Sequence, residues 1–341
     1  MINYLFLILI PILLYALNKV LIKNSILLNF TGEKHQRYAS EEIIPLSGGI
    51  IVILSFSFFF YSNSNLFLFF SMFLFLIGII SDSKIKISAN KRLLVQFLII
   101  FTFVYFDNLE IQNTRVLFLD NILNESLLNY LFVSFCLLIL INGTNFIDGL
   151  NTSVIGYYLI ISIFLLKTSF LNDLNIEKDI WVIWILTLII IYIYNFFKKI
   201  FLGDNGSYTL SFIYGVLLIK FNSLNVYISP YFIILILWYP CFEMLFSVIR
   251  KINKNKAPNL PDTDHLHQLI YFFILKKEFN INKKFKNSFS ANLINLFNLI
   301  VIYISFQNIY NSYFQILLIL INILTYSILY YLLFKFKKIN E

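Results

Sequence analysis

Apolar residues occur in long blocks along this chain, and the polar residues able to carry chemistry fall in the gaps between them. The runs 1–21, 66–80 and 313–334 approach or reach the roughly 20 apolar residues that cross a bilayer as a helix. Eleven such blocks can be marked, at 2–22, 43–62, 66–81, 91–106, 127–141, 151–167, 180–197, 206–220, 229–249, 291–306 and 313–334. The pattern predicts an all-α, polytopic membrane protein with a single transmembrane domain over 1–341. The first block lacks a basic leading segment and a small-residue cleavage site, so it reads as a permanent span rather than a signal peptide.

Composition strengthens this reading. The 341 residues are 59% hydrophobic and 13% charged, whereas about a quarter of the residues of a soluble domain carry charge. A soluble core large enough to hide every apolar block does not exist in a chain of this length. Cys136 and Cys241 both fall inside predicted spans, where they read as small core hydrophobes rather than as a disulfide or metal ligands. No internal repeat is visible, which weighs against the repeat-built transporter folds.

Charge then orients the spans. Assigning the connecting segments alternately to two sides puts most of the 26 Lys and Arg on one side. These include Lys23, Lys34 and Arg37; Lys84, Lys86, Lys91 and Arg92; Lys198 and Lys199; and those between Arg250 and Lys286. By the positive-inside rule that side is cytosolic, so the N-terminus faces out and the C-terminus in. The net charge of +8 is explained by topology and lipid headgroups and needs no nucleic acid.

Four acidic motifs lie on the same basic face, in the cytosolic loops 23–42, 82–91, 142–150, 198–206 and 250–290 or at their edges. Asp204 stands in Phe201-Leu202-Gly203-Asp204-Asn205-Gly206-Ser207, a glycine-bearing turn beside Lys198 and Lys199 that suits a divalent cation shared with a diphosphate. Ser207 is placed to cap the following span. Asn142, Asn145 and Asp148 end another span; if the segment is a helix end, Asn145 and Asp148 share a face. Two amides and a carboxylate at the end of an apolar span are expensive unless they bind something.

Asp82 follows Gly78-Ile79-Ile80-Ser81 at a third span end. The fourth motif is Pro261-Asp262-Thr263-Asp264-His265-Leu266-His267, after Pro258, with Asp264 placed to cap a helix that starts at His265 and turns apolar. On a regular helix His265 and His267 would point about 200° apart, so they converge only on a turn or helix start. Their spacing is poor for a zinc site. His35, the remaining histidine, reads as a surface residue.

In this order and on one face, the motifs resemble those of the polyprenyl-phosphate N-acetylhexosamine-1-phosphate transferase family (glycosyltransferase family 4). The resemblance starts at Pro45-Leu46-Ser47-Gly48-Gly49 and extends to the histidine motif. It implies transfer of a sugar 1-phosphate, such as GlcNAc-1-phosphate, from a UDP-N-acetylhexosamine to undecaprenyl phosphate with release of UMP. It further implies a multi-pass enzyme of the bacterial inner membrane with a cytosolic active site, initiating a polysaccharide of the cell wall, capsule or lipopolysaccharide. Carried over by position, Asp204 and Asp148 hold Mg²⁺ (or Mn²⁺), and Asp82, Asp148, Asp204, His265 and His267 are the catalytic set. Substrate binding falls to Asn142, Asn145, Phe201 (bordering the uracil), Lys91, Arg92 and Asp264. A homodimer stays open.

Two positions depart from the family pattern. Ser81 stands where the family has the first of two adjacent aspartates, and Asn151 replaces an acidic residue. A phosphate monoester with a second pKa near 6 is mostly dianionic at neutral pH. Polyprenyl phosphate therefore needs no base to attack, and direct in-line displacement is the expected chemistry. Two other readings stay open at this point: a transporter using the motifs as gates, and an inactive family member serving as a scaffold in glycan assembly.

Overall fold

The computed structural model describes residues 2–29, 43–60, 65–83, 85, 87–255, 257, 263–277, 279 and 281–340. Lys34, His35, Arg37, Lys84, Lys86, Pro258, Pro261 and Asp262 lie outside the described residues. Fifteen α-helices are seen among the described residues. They are α1 (Ile2–Lys23), α2 (Gly48–Phe59), α3 (Asn65–Asp82), α4 (Ala89–Asp107), α5 (Leu117–Leu123), α6 (Ser126–Ile147), α7 (Ser153–Leu165), α8 (Phe170–Asp173), α9 (Lys178–Phe196), α10 (Gly203–Leu224), α11 (Pro230–Ile236), α12 (Trp238–Asn253), α13 (Leu266–Lys276), α14 (Lys286–Ser305) and α15 (Ser312–Asn340). The protein is an all-α, polytopic membrane protein.

Seven of these helices are long and apolar enough to cross a membrane, or eight if the bent pair α11–α12 is one span. Helices α2, α7 and α13 are apolar but shorter. Each predicted block coincides with a helix, except that 229–249 is broken at Leu237, where α11 and α12 meet at 74°. The sequence supplies the cause. Pro240 has no N–H to offer the carbonyl four residues back, Ile236 O, and that carbonyl accepts the Tyr157 hydroxyl instead (2.7 Å).

Helix α10 is the centre of the fold, buried almost continuously from Asn205 to Phe221 and packed against α2, α3 and α6. Having protein on all sides, it needs no apolar stripe. Small residues let its start approach its neighbours: a Cβ on Gly78 of α3 would fall 2.2 Å from the Asn205 Cα. Deeper in the bundle the polar atoms pair with one another, as backbone and side chains must away from water. Thr144 Oγ1 lies 2.8 Å from Tyr158 OH, and the indoles of Trp184 and Trp181 donate to Tyr214 OH (2.9 Å) and Ser162 O (3.0 Å).

Candidate active site

The first turn of α10 carries Asp204, and its shape depends on the residue before it. Gly203 has φ 75°, a left-handed conformation that glycine adopts without strain. Asp82, the last residue of α3, accepts hydrogen bonds from the backbone N–H of Asp204 (3.0 Å) and of Asn205 (2.9 Å), and from Asn205 Nδ2 (2.5 Å). Asp82 thus caps α10 from a neighbouring helix, satisfying two orphan amides and opposing the positive end of the helix dipole. The sequence assigned that cap to Ser207. Helix α10 begins earlier, at Gly203, so Ser207 lies a turn inside and its hydroxyl donates to Asp204 O (3.3 Å).

Side chains from α3, α4, α6 and α10 itself converge on the Asp204 carboxylate. Asn145 Nδ2 of α6 donates to Oδ1 (2.6 Å), while Ser81 Oγ of α3 (2.5 Å) and Tyr208 OH of α10 (3.1 Å) donate to Oδ2. Arg92 Nη1 of α4 donates to Ser81 Oγ (2.8 Å) and lies 3.5 Å from Asp204 Oδ2. Ser81 is therefore a bridge: it accepts from the guanidinium and passes its own proton donor to the carboxylate. Arg92 joins the cluster, whereas Lys91 is exposed.

Helix α6 delivers the second motif at its C-terminal end, with Asp148 as the C-cap and Asn145 one turn before it. Asn142 sits deeper, its Nδ2 donating to Gln96 Oε1 of α4 (3.0 Å). It is 3% exposed and forms a buried pair apart from the Asp204 cluster. The Asp148 carboxylate accepts no hydrogen bond among the described residues. Burial, then the charges of Asp204 and Asp82, push its pKa well above the ordinary carboxylate range.

Asparagines from distant helices hold the turn after Asp148. Asn287 Oδ1 accepts from Asn151 N (2.8 Å), Asn195 Oδ1 accepts from Thr152 N, and Asn295 Nδ2 donates to Thr152 O (2.9 Å). Asn151, the second departure from the family pattern, thus meets α14 through its backbone.

The histidine motif docks on this turn. A Cβ on Gly149 would fall 2.3 Å from His267 Nε2, so the ring lies directly over the Gly149 backbone. His265 has extended backbone (φ −72°, ψ 147°) as the N-cap of α13, and His267 sits in the first helical turn. The two rings end up nearly parallel, 5.6 Å apart at 15°, which is the convergence at a helix start that their spacing allowed. Phe146 of α6 meets His265 edge-on at 5.4 Å, and the ammonium of Lys251, on α12, lies 5.6 Å from the Phe146 ring centroid.

Asp264 does not cap α13, whose N-cap is His265. Its carboxylate turns instead to Lys337 of α15 (2.9 Å) and Lys254 (3.1 Å). Arg250 Nη1 donates to its backbone carbonyl, and Lys337 also donates to Thr263 O (3.1 Å). Burial would raise the Asp264 carboxyl, but Lys337 and Lys254 outweigh it and hold the pKa below the ordinary value. The side chain thus reaches α15 through Lys337.

Phe201 joins through its backbone. Its N–H donates to Pro45 O (2.9 Å) and its carbonyl accepts from Gly48 N (3.0 Å), which fastens the Pro45–Gly49 motif to the Asp204 turn. The motif resemblance read from the sequence is matched by comparison with known proteins. Residues 64–222 match the family model described as glycosyl transferase family 4. That match takes in a little under half of the chain, from the start of α3 to the end of α10.

Two curated proteins are similar to it. One, from Bacillus subtilis (strain 168), bears the name probable undecaprenyl-phosphate N-acetylglucosaminyl 1-phosphate transferase; it is 28% identical over 60% of this chain and 57% of its own length. The other, from Escherichia coli O157:H7, is an undecaprenyl-phosphate alpha-N-acetylglucosaminyl 1-phosphate transferase, 24% identical over 69% of this chain and 67% of its own length. The chain thus spans a little over half the length of the first relative.

Sequence reasoning missed four participants: Tyr208, Gln96, Lys251 and Glu243. Glu243, fully buried on α12, accepts from His265 Nδ1 (2.9 Å) and from Tyr326 OH of α15 (2.7 Å). It had a signal, being the only charged residue in the apolar block 229–249. An ionisable residue inside a span is a functional candidate by default.

Proposed function

We propose that this chain transfers a sugar 1-phosphate, GlcNAc-1-phosphate or a related N-acetylhexosamine phosphate, from a UDP-sugar to undecaprenyl phosphate. UMP is released, and the product initiates a cell-surface polysaccharide. The observation that carries the proposal is the gathering of Ser81, Arg92, Asn145 and Tyr208, from four helices, around the single carboxylate of Asp204. We further infer eleven spans with the N-terminus out, so that the basic loops and the site between them face the cytosol.

The residues fit a hard divalent cation. Asp148 offers carboxylate oxygens that accept no hydrogen bond among the described residues, and the nearby charges of Asp204 and Asp82 are what a cation would relieve. No group of three or more His, Cys, Asp or Glu is found among the described residues. That suits Mg²⁺, which takes one or two carboxylates and completes its shell with phosphate and water. Asp204 and Asp148 would hold it, and when bound it supplies charge neutralisation for the diphosphate.

The chain's own residues do the rest by positioning and electrostatics, the chief needs of phosphoryl transfer. An oxygen of the lipid phosphate bonds to the sugar-bearing phosphorus while the bond from that phosphorus to the bridging oxygen breaks. UMP departs with the bridging oxygen. The lipid phosphate is already dianionic at neutral pH, so no residue has to remove a proton and Ser81 costs the site no base. Arg92, fixed by Ser81, and the histidine pair supply donors for the phosphate oxygens. Asp82 acts through α10, holding the Asp204 turn in place.

The test is UMP release by purified protein given undecaprenyl phosphate, Mg²⁺ and a panel of UDP-sugars, with Asp204→Ala alongside. Release that needs lipid, metal and Asp204 supports the transferase and names the donor. UMP binding with no release for any donor overturns it in favour of an inactive scaffold.

A further inference from the structure

We propose that Glu243 is a positioning residue for His265, holding the imidazole by Nδ1–H so that Nε2 is the edge presented to the substrate phosphates. The proposal rests on the transferase reading above for what His265 does, but its structural half stands by itself.

A carboxylate with no solvent exposure inside an apolar helix is costly unless paired and fully hydrogen-bonded. Both oxygens of Glu243 are engaged: Oε1 by His265 Nδ1 at 2.9 Å and Oε2 by Tyr326 OH at 2.7 Å. A carboxylate only accepts, so the nitrogen facing it carries a proton, and Nδ1 is thereby committed to Glu243. It is the doubly protonated ring that donates from Nε2 to a phosphate oxygen while Nδ1–H stays on Glu243. Two contacts fix its plane: Phe146 edge-on at 67° and His267 nearly parallel at 15°. The parts come from separate places, Glu243 from α12, Tyr326 from α15 and His265 from the cap of α13.

The groups around the pair are set out in the same way. Arg250 donates to Tyr330 OH and to the backbone of Asp264, and Lys337 and Lys254 are turned to the Asp264 carboxylate. Lys251 lies over Phe146. Glu243 contacts the ring directly, at His265 Nδ1. Packing alone would be served as well by an apolar side chain of similar volume, because replacing a buried ion pair with apolar residues is often neutral or stabilising. A buried acid bonded to one ring nitrogen is instead how a working histidine is oriented.

The experiment uses the full chain in lipid nanodiscs, labelled with ¹⁵N at histidine. The chain has three histidines, so His265→Gln assigns the signal of interest. The wild-type ring of His265 should show a protonated Nδ1 that Glu243→Leu abolishes and Glu243→Gln, which keeps an acceptor oxygen, largely preserves. In UMP-release assays Glu243→Leu should lower kcat at least tenfold with KM for both substrates changed less than threefold. Glu243→Gln should recover part of the loss, and Glu243→Leu combined with His265→Asn should be little worse than His265→Asn alone.

An unchanged tautomer in Glu243→Leu, or rate losses that multiply in the double variant, overturns the proposal. Failure of the transferase reading looks different, because the wild type itself then releases no UMP. In that case the nitrogen spectra alone decide: a tautomer that depends on Glu243 supports the coupling, and one that does not overturns it.

Discussion

The site has two halves that are held together in opposite ways. The acidic half, at the ends of α3, α4, α6 and α10, is built by close backbone approach. Gly78 meets Asn205 with no room for a Cβ, and Asp82 binds two α10 amides directly. The histidine half, on α12, α13 and α15, is held by long side chains reaching between distant segments: Glu243 to His265 and Tyr326, and Lys337 to Asp264. Backbone contact admits little adjustment, so the acidic half is expected to be stiff and intolerant of added volume. Side-chain clamps depend on charge, so the second half is expected to respond to pH and to single-group deletions.

The largest effect should come from the hub of the acidic half. Asp204→Ala removes the group on which four side chains converge, and UMP release should fall by roughly 10²–10³-fold or more, as when a central electrostatic group is lost. An activity loss below tenfold in folded protein would break the comparison. Next, Gly78→Val should destabilise the protein by about 1–3 kcal/mol or prevent folding, because the new atoms meet the Asn205 backbone rather than a movable side chain. Its thermal midpoint in detergent measures this, and a midpoint equal to wild type would show the approach to be loose.

Ser81 sharpens the comparison from within the acidic half. Ser81→Ala cuts the bridge between Arg92 and Asp204, and an activity loss of roughly tenfold is expected for one hydrogen bond to a charged group. Ser81→Asp puts a carboxylate within reach of Arg92 and should leave activity within a few-fold of wild type or raise it. Abolition of UMP release by Ser81→Asp would refute direct attack by the lipid phosphate at this site.

The smallest effect belongs to the charge clamp. The Asp264 pKa is depressed in the folded protein, so its contribution to stability is present above the unfolded carboxyl pKa and is lost as pH falls through the folded one. Asp264→Asn should therefore lower the melting temperature by a few degrees at neutral pH. The gap from wild type should close in acid, below the ordinary carboxylate range. A gap that stays constant with pH would show that Lys337 and Lys254 contribute nothing through charge.

Much of the fold was legible because the bilayer demands it. Apolar blocks gave the helices, and charges at block ends gave the motif positions. Two kinds of reading needed more than a sequence. Capping was assigned locally, to Ser207 and Asp264, because a sequence shows only neighbours in the chain. The cap of α10 came from Asp82 on α3, and Asp264 turned to α15. Asn142 likewise lies one turn from Asn145 yet pairs with Gln96 inside the bundle.

By itself, then, the sequence determined an all-helical membrane protein, its blocks, the family resemblance and the positions of the motif residues from Asp82 to His267, since hydropathy and short-range spacing are local properties of the chain. Tertiary structure decided which of these residues meet. It gathered Ser81, Arg92, Asn145 and Tyr208 on Asp204, and it brought Glu243, on α12, and Tyr326, on α15, to His265, in the cap of α13. The physical reason is that buried charges and polar groups must find partners wherever packing offers them, and that choice is made across helices rather than along them.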